Sequence, residues 1–214
     1  MNKTVSHPNT FFYRTLIHIL LIVLPGIGIL QAQDSVKPET KWTFTSRFTV
    51  GGLSDRSDPP GYKVYSSMVF TAGLRYRIVS PISAEFILST ESREVDLINS
   101  ENREISLGSI DYLAFVLVLQ YHLPLEGRFH PYAGIGLNFN RYFEKSGVVN
   151  ELGVPNSAGM TAQLGADVDL SSYMIFNIDI RANKMEIRLV DNGQELTRIK
   201  TDPASFSLGL GFRF

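Results

Sequence analysis

The chain has no cysteine among its 214 residues. Disulfide staples, thiolate metal sites and cysteine nucleophiles are excluded, so stability must come from hydrogen-bonded ladders and burial. A surplus of either charge is missing too: 20 basic against 21 acidic side chains leave a formal charge of -1, without the positive excess that nucleic-acid binding needs. Beyond the first thirty or so residues there is no long apolar run, whereas a spanning helix needs ~20 consecutive apolar positions. Histidine is scarce, and after residue 41 only His122 and His130 remain, both beside the Pro124 turn. No metal, nucleotide or other cofactor motif is present, and no cofactor is expected.

What is there begins with a short apolar stretch. Leu16 to Leu30 follows Lys3 and Arg14, bends at Pro25-Gly26 and leads into Leu30-Gln31-Ala32. A basic start, a short apolar heart and a small residue before the cut describe a cleaved secretory signal peptide over residues 1–32. Its removal takes two bases and no acid, so the formal charge moves from -1 to -3. Residues 33–41 then form a short periplasmic N-terminal segment, and 42–214 form the folded unit.

That unit repeats one theme. Apolar and polar or small residues alternate over 42–50, 67–77, 83–89, 112–122, 132–140, 158–170, 176–181 and 204–214. A period of two puts one set of side chains on each face of a strand. The segments match the ~9 to 11 residues a tilted strand needs to cross a bilayer, and eight is the even number that a single-chain bacterial barrel requires.

Alternation alone does not say which face is wet, because a soluble lipocalin-type barrel alternates with its apolar set inside. The connections decide. Those at Ile78 to Ile82, Pro124 to Arg128 and Ser171 to Tyr173 are tight, while Gly51 to Lys63, Ser92 to Glu104 and Glu144 to Asn156 are long and polar. A fourth loop is expected where the seventh segment frays around Asp191-Asn192-Gly193-Gln194. Tight turns at one end and long loops at the other are the habit of outer-membrane barrels. Trp42, Tyr76, Tyr121, Tyr173, Phe212 and Phe214 would gather near the turn end as an interfacial girdle. The fold expected is all-β: an eight-stranded antiparallel up-and-down transmembrane β-barrel in the bacterial outer membrane, surrounded by lipid.

If the apolar set faces lipid, the inward set near the turns holds Arg47, Arg75, Arg77, Glu85, Asp167, Asp169, Asp179, Arg181 and Arg213. Charges buried without partners are very costly, so cross-strand pairing is expected, with Arg47, Arg75, Glu85, Asp167, Asp179 and Arg181 closing this half of the lumen. Nearer the loops the inward set is milder: Val69, Ile87, Tyr112, Asn138, Asn140, Tyr142 and Thr161. Eight strands enclose room only for their own side chains or one small ligand, so this half is either a pocket or packing.

The stretch F-H-P-Y-A-G-I-G-L-N-F-N-R-Y-F-E-K-S-G from Phe129 to Gly147 resembles the fifth-strand signature of the OmpW family. Leu119-Gln120-Tyr121-His122-Leu123, the 158–170 and 176–181 segments, and the ending Asp202-Pro203 with Gly211-Phe212-Arg213-Phe214 are similar to that family as well. The terminal aromatic, Phe214, resembles the signal read by the barrel-insertion machinery, the expected assembly partner. The resemblance implies an apolar interior pocket that binds or passively conducts a small hydrophobic solute and releases it laterally. On this implication Val69, Ile87, Tyr112, Asn138, Tyr142 and Thr161 are the ligand-binding candidates. Family members often carry Pro-Pro in the fourth strand, where this chain has Asp111-Tyr112-Leu113-Ala114, which argues against sideways exit there.

The alternative is a structural, adhesive or receptor barrel acting through its loops around a packed lumen. A lipid-modifying enzyme would need a histidine with a serine and a carboxylate in reach. Only His122 with Glu126 approaches that, and no enzymatic activity is expected.

Overall fold

The computed structural model describes residues 40–51, 57–58, 62–66, 68–98, 103–201 and 203–214. The expected signal peptide lies outside the described residues, as does most of segment 33–41. The strands are β1 (Trp42–Val50), β2 (Ser57–Asp58), β3 (Tyr62–Ser66), β4 (Met68–Val79), β5 (Ile82–Ile98), β6 (Glu104–His122), β7 (Phe129–Lys145), β8 (Ser157–Asp169), β9 (Met174–Asn183), β10 (Met185–Asp191), β11 (Gln194–Thr201) and β12 (Ala204–Arg213). A 3-10 turn, Gly147–Glu151, precedes β8.

One antiparallel sheet runs β3-β5-β4-β1-β12-β9-β8-β7-β6 and closes on itself because β5 also pairs with β6. β3 and β4 lie end to end along the same edge of β5, so the wall has eight staves. The seam is β1 against β12, from Thr43 opposite Arg213 to Val50 opposite Phe206. Trp42 and Phe214 finish it with a reciprocal pair of backbone hydrogen bonds at 3.1 and 3.0 Å. Closure leaves no sheet edge, the condition for carrying strands through hydrocarbon.

The faces follow the alternation. Phe70, Leu117, Ile135, Met160, Leu164, Ile180 and Leu208 point outward and are exposed, while Thr45, Arg47, Glu85, Asn177 and Asp179 are buried inside. A polar centre under an apolar surface is stable only when the surrounding solvent is oil. Trp42 and Tyr76 sit with ring centroids 4.6 Å apart at the turn end, and Tyr121, Tyr173 and Phe214 are exposed near the same end.

The opposite end departs from the sequence expectation. Residues 92–104 are largely ladder and not loop: β5 and β6 stay paired out to Ile98 opposite Glu104, with a bulge after Val95. Their 17 and 19 residues, at about 3.4 Å each and a tilt near 40°, rise roughly 45 Å, well beyond the ~30 Å hydrocarbon layer. Part of 51–63 also pairs, through β2 and β3.

The frayed loop expected at Asp191 to Gln194 is a tight hairpin. Asn192 and Gly193 both take positive φ, 47° and 83°, the signature of a type I′ turn that suits Asn-Gly. The β10–β11 hairpin leaves the wall at Lys184 and turns Met185, Ile187, Leu189 and Ile199 onto Val95, Ile110, Tyr112 and Val149, capping the loop end of the lumen.

Ile135 is 69% exposed on the lipid face, midway along the outward stripe of β7 between Phe129 and Phe143. The Ile135→Arg variant should lower folding stability by about 2–4 kcal/mol, the cost of a cation near the bilayer midplane, read from urea titration in phospholipid vesicles. A change within about 0.5 kcal/mol, the usual surface value, would place Ile135 outside the hydrocarbon.

Candidate functional site

The lumen is divided. Its turn-end half holds three guanidiniums, from Arg47, Arg75 and Arg181, and three carboxylates, from Glu85, Asp167 and Asp179, each no more than 4% exposed. Arg47 on β1 ion-pairs with Glu85 on β5, lies 3.5 Å from Asp179 on β9, and donates from Nε to Asn177 Oδ1 at 2.6 Å. Arg75 on β4 pairs with Asp167 on β8, reaches Glu85 at 3.9 Å, and stacks 4.8 Å over the Tyr132 ring.

Neutral groups complete the network. Gln120 donates to Glu85 Oε2 at 2.6 Å and to Gln163 Oε1 at 2.9 Å, Gln163 donates to Asp179 at 3.0 Å, and Asn177 donates to Asp167 at 2.6 Å. The six charges sum to zero and the carboxylate oxygens are met, which makes ionised groups tolerable at this burial, although Arg47 Nη1, Arg75 Nε and Nη2 and Arg181 Nε have no hydrogen-bond partner among the described residues. The packing is close enough that a Cβ on Gly165 would lie 2.5 Å from the Tyr132 ring, and one on Gly73 would lie 2.8 Å from Glu85 Oε1. No straight aqueous path crosses such a plug.

The other three inward charges of the sequence reading sit apart from it. Arg77 is exposed at the turn end. Asp169 is partly exposed there, held by Arg213 at 2.7 Å and His130 at 3.1 Å.

Above the plug the six ligand-binding candidates all face inward but do not form one apolar pocket. Ile87 packs with Val116 and Val118 just over the charges. Val69, Tyr112 and Asn138 line a chamber of about 30 Å³ whose other walls include Glu91, Arg93 and Arg181. Tyr142 joins the apolar cap, its ring 5.5 Å from that of Tyr112 and its hydroxyl 3.0 Å from Ser157 Oγ. Thr161 donates to Asn183 Oδ1 at 2.6 Å, where β9 begins to leave β8. The chamber is thus mixed in polarity and has room for more than one water molecule.

Sequence reasoning passed over several residues that shape this half. Arg93 fell in the expected loop at Ser92 to Glu104 and Glu91 just before it, past the end of the 83–89 segment, yet Arg93 donates from Nε to Tyr112 OH at 2.6 Å and from Nη2 to Glu91 at 3.1 Å, while Tyr112 OH donates to Glu91. Met185, Ile187 and Leu189 fell where the seventh strand was expected to fray. Their alternation, followed by Asn192-Gly193, is the hairpin signal that would have found them.

The arrangement has known counterparts. The chain is 30% identical over 116 residues to the dibenzothiophene metabolism operon protein PahQ of Pseudomonas aeruginosa, a match covering 51% of this chain and 54% of that one, so it spans about half the length of that relative. Outer membrane protein AlkL of Ectopseudomonas oleovorans is 26% identical over 171 residues, covering 77% of this chain and 72% of the relative. Among solved structures, OprG of Pseudomonas aeruginosa superposes with a TM-score of 0.63 at 20% identity, over 84% of this chain and 99% of the other. AlkL in lipid bilayers gives 0.62 at 23% identity, over 86% and 94%. These likenesses carry the fold and, with relatives named as outer-membrane proteins, the location. The profile of the OmpW family matches residues 36–214, and the chain belongs to that family of bacterial outer-membrane barrels.

Proposed function

We propose that this barrel takes small hydrophobic molecules from the outside into its upper lumen and releases them sideways into the bilayer, without catalysis. The observation that carries the reading is the division of the lumen: a neutralised charge plug below, and a cap of apolar side chains above. A plug held by paired charges cannot part without stranding ions. A cap held by dispersion and burial can, because an entering hydrocarbon replaces the contacts it breaks.

Sideways exit is favoured between β8 and β10. Regular pairing there ends at Thr161 opposite Asn183; beyond the Lys184 N to Met160 O bond at 2.8 Å, the next backbone link is the Gly153–Val190 bridge. The β5–β6 ladder is paired from Ile82 to Val95 without a break, and the β6–β7 ladder is continuous apart from one bulge at Asp111/Tyr112, which disfavours the fourth-strand route. A relative named for dibenzothiophene metabolism, an apolar aromatic compound, supports a hydrophobic solute.

A second reading rests on the β5–β6 hairpin, which stands clear of the bilayer and suits a receptor or adhesive role around a packed lumen.

Three outcomes separate these. Val69→Lys, which puts a charge into the chamber, should drop uptake of a hydrophobic solute by barrel-loaded vesicles to the protein-free background; unchanged uptake rejects the conduit. Joining Asp96 to Ser106 through a two-residue turn should leave uptake intact, and loss of surface attachment alone would favour the second reading. Glu85→Ala leaves two buried guanidiniums short of a partner and should cost about 3–5 kcal/mol in urea unfolding; a cost below about 1 kcal/mol, the range of exposed pairs, would mean that water reaches the plug.

A further inference from the structure

We infer that the chamber between plug and cap is a head-group site, selecting apolar molecules that carry a carboxylate or similar anionic oxygen group over neutral hydrocarbon. The inference rests on the conduit reading and narrows its substrate class.

Arg181 is the first observation. It is 4% exposed and lines the chamber, which Arg47 and Arg75 do not; among the described residues its guanidinium meets one partner, Asp179 at 3.5 Å, and its Nε, like Arg47 Nη1 and Arg75 Nε and Nη2 in the plug, has no hydrogen-bond partner. A guanidinium carries five donors in a planar fork, and a buried one so short of acceptors calls for a further oxygen. Asp179 is shared, its Oδ2 accepting from Gln163 at 3.0 Å and lying 3.5 Å from Arg47, which leaves Oδ1 for Arg181.

The second observation is the balance of charge around the chamber. Arg93 and Arg181 are its two lining cations, and Glu91 is its one lining carboxylate. Glu91 is already engaged, accepting from Arg93 at 3.1 Å and from the Tyr112 hydroxyl. Counted with the plug, the lumen is neutral, at four cations and four carboxylates, so the pull on an incoming anion rests on the donors Arg181 leaves unmatched and not on excess charge.

The third is its mixed lining and its size. Thr71, Ser89 and Asn140 offer hydrogen bonds, while Val69, Val116 and Met185 offer apolar contact. About 30 Å³ has room for a small polar group. The body of an amphiphile would lie among the apolar side chains of the cap, with Tyr112, Ala114 and Met185 common to cap and chamber. Recognition by a planar guanidinium suits a carboxylate, whose two oxygens match its fork.

The test is fluorine NMR on the full barrel in lipid nanodiscs, against empty nanodiscs, with three probes: 4-fluorophenylacetate and 4-fluorophenylacetamide, which match in size, and the smaller, apolar 4-fluorotoluene. The acid should bind at least about tenfold more tightly than the amide, the margin expected of a charge-assisted pair. Arg181→Gln should erase that margin and Arg181→Lys should retain most of it, with heat-modifiable gel migration reporting whether each variant is folded. Should Arg181→Gln fail to fold, the wild-type margin decides. Equal binding of all three probes, or a margin that survives in folded Arg181→Gln, overturns the inference and leaves the conduit standing, with water alone in the chamber. Binding of none, fluorotoluene included, overturns both.

Discussion

Every backbone amide and carbonyl in this wall must find its partner inside the protein, because hydrocarbon offers none. That single constraint fixes the architecture. It forbids an open edge, so β1 has to meet β12, and the reciprocal bonds between Trp42 and Phe214 carry pairing to the last residue of the seam. Closing eight staves then sets the bore, and the bore is too narrow for an interior of bulk water. The lumen must be filled by side chains, and the alternation that puts Leu164 and Ile180 into lipid puts Asp179, Arg181 and Gln163 into that filling.

Filling a narrow bore with charge works only under neutrality and close geometry. Three cations and three anions drawn from β1, β4, β5, β8 and β9 meet that condition, with Gln120, Gln163 and Asn177 absorbing acceptor capacity the guanidiniums leave over. The network ties opposite staves directly: Arg75 to Asp167 crosses from β4 to β8, and Arg47 to Glu85 reaches over β4. Closing the lumen and cross-bracing the wall are one set of contacts. Small residues are part of the same fit, since Gly73 and Gly165 stand where a side chain would collide with Glu85 or Tyr132.

The wall was legible from sequence because lipid enforces it at each position. A single slip of register would turn Phe70 or Ile135 inward and Arg75 into hydrocarbon, so the pattern is written locally and can be read locally. Where the chain rises above the bilayer that enforcement stops. Glu91, Arg93 and Glu94 continue the β5 ladder without a strict alternation of apolar and polar side chains, and the stretch therefore read as loop. The β10–β11 hairpin was missed for a different reason. Its signal was present in Asn192-Gly193, but eight segments had already satisfied the barrel, and nothing local says that a strand folds over the mouth instead of lengthening the wall. The interior pairing was legible only as a requirement for pairing. Which carboxylate Arg75 finds depends on contacts 92 residues apart in sequence, and those are set by the curvature of the closed sheet.

The two halves of the lumen differ in what opening them would cost, and that difference is built from bond type. Separating Arg47 from Glu85 in a dry bore leaves two ions with nothing to replace the lost partner, so the lower half is stable against any solute. Parting Ile187 and Leu189 from Val95 and Ile110 exposes only apolar surface, and an apolar guest restores the contact it displaces. Arg181 lies at the junction. It belongs to the plug through Asp179 and to the chamber through the wall it forms, and its unmet donor faces neither a complete ion pair nor bulk water. An apolar residue at that position would leave Asp179 with Arg47 as its one cation, at 3.5 Å, and the plug one positive charge short. Arg181 serves the plug through Asp179, and on the head-group reading its remaining donors are what the chamber would offer a guest.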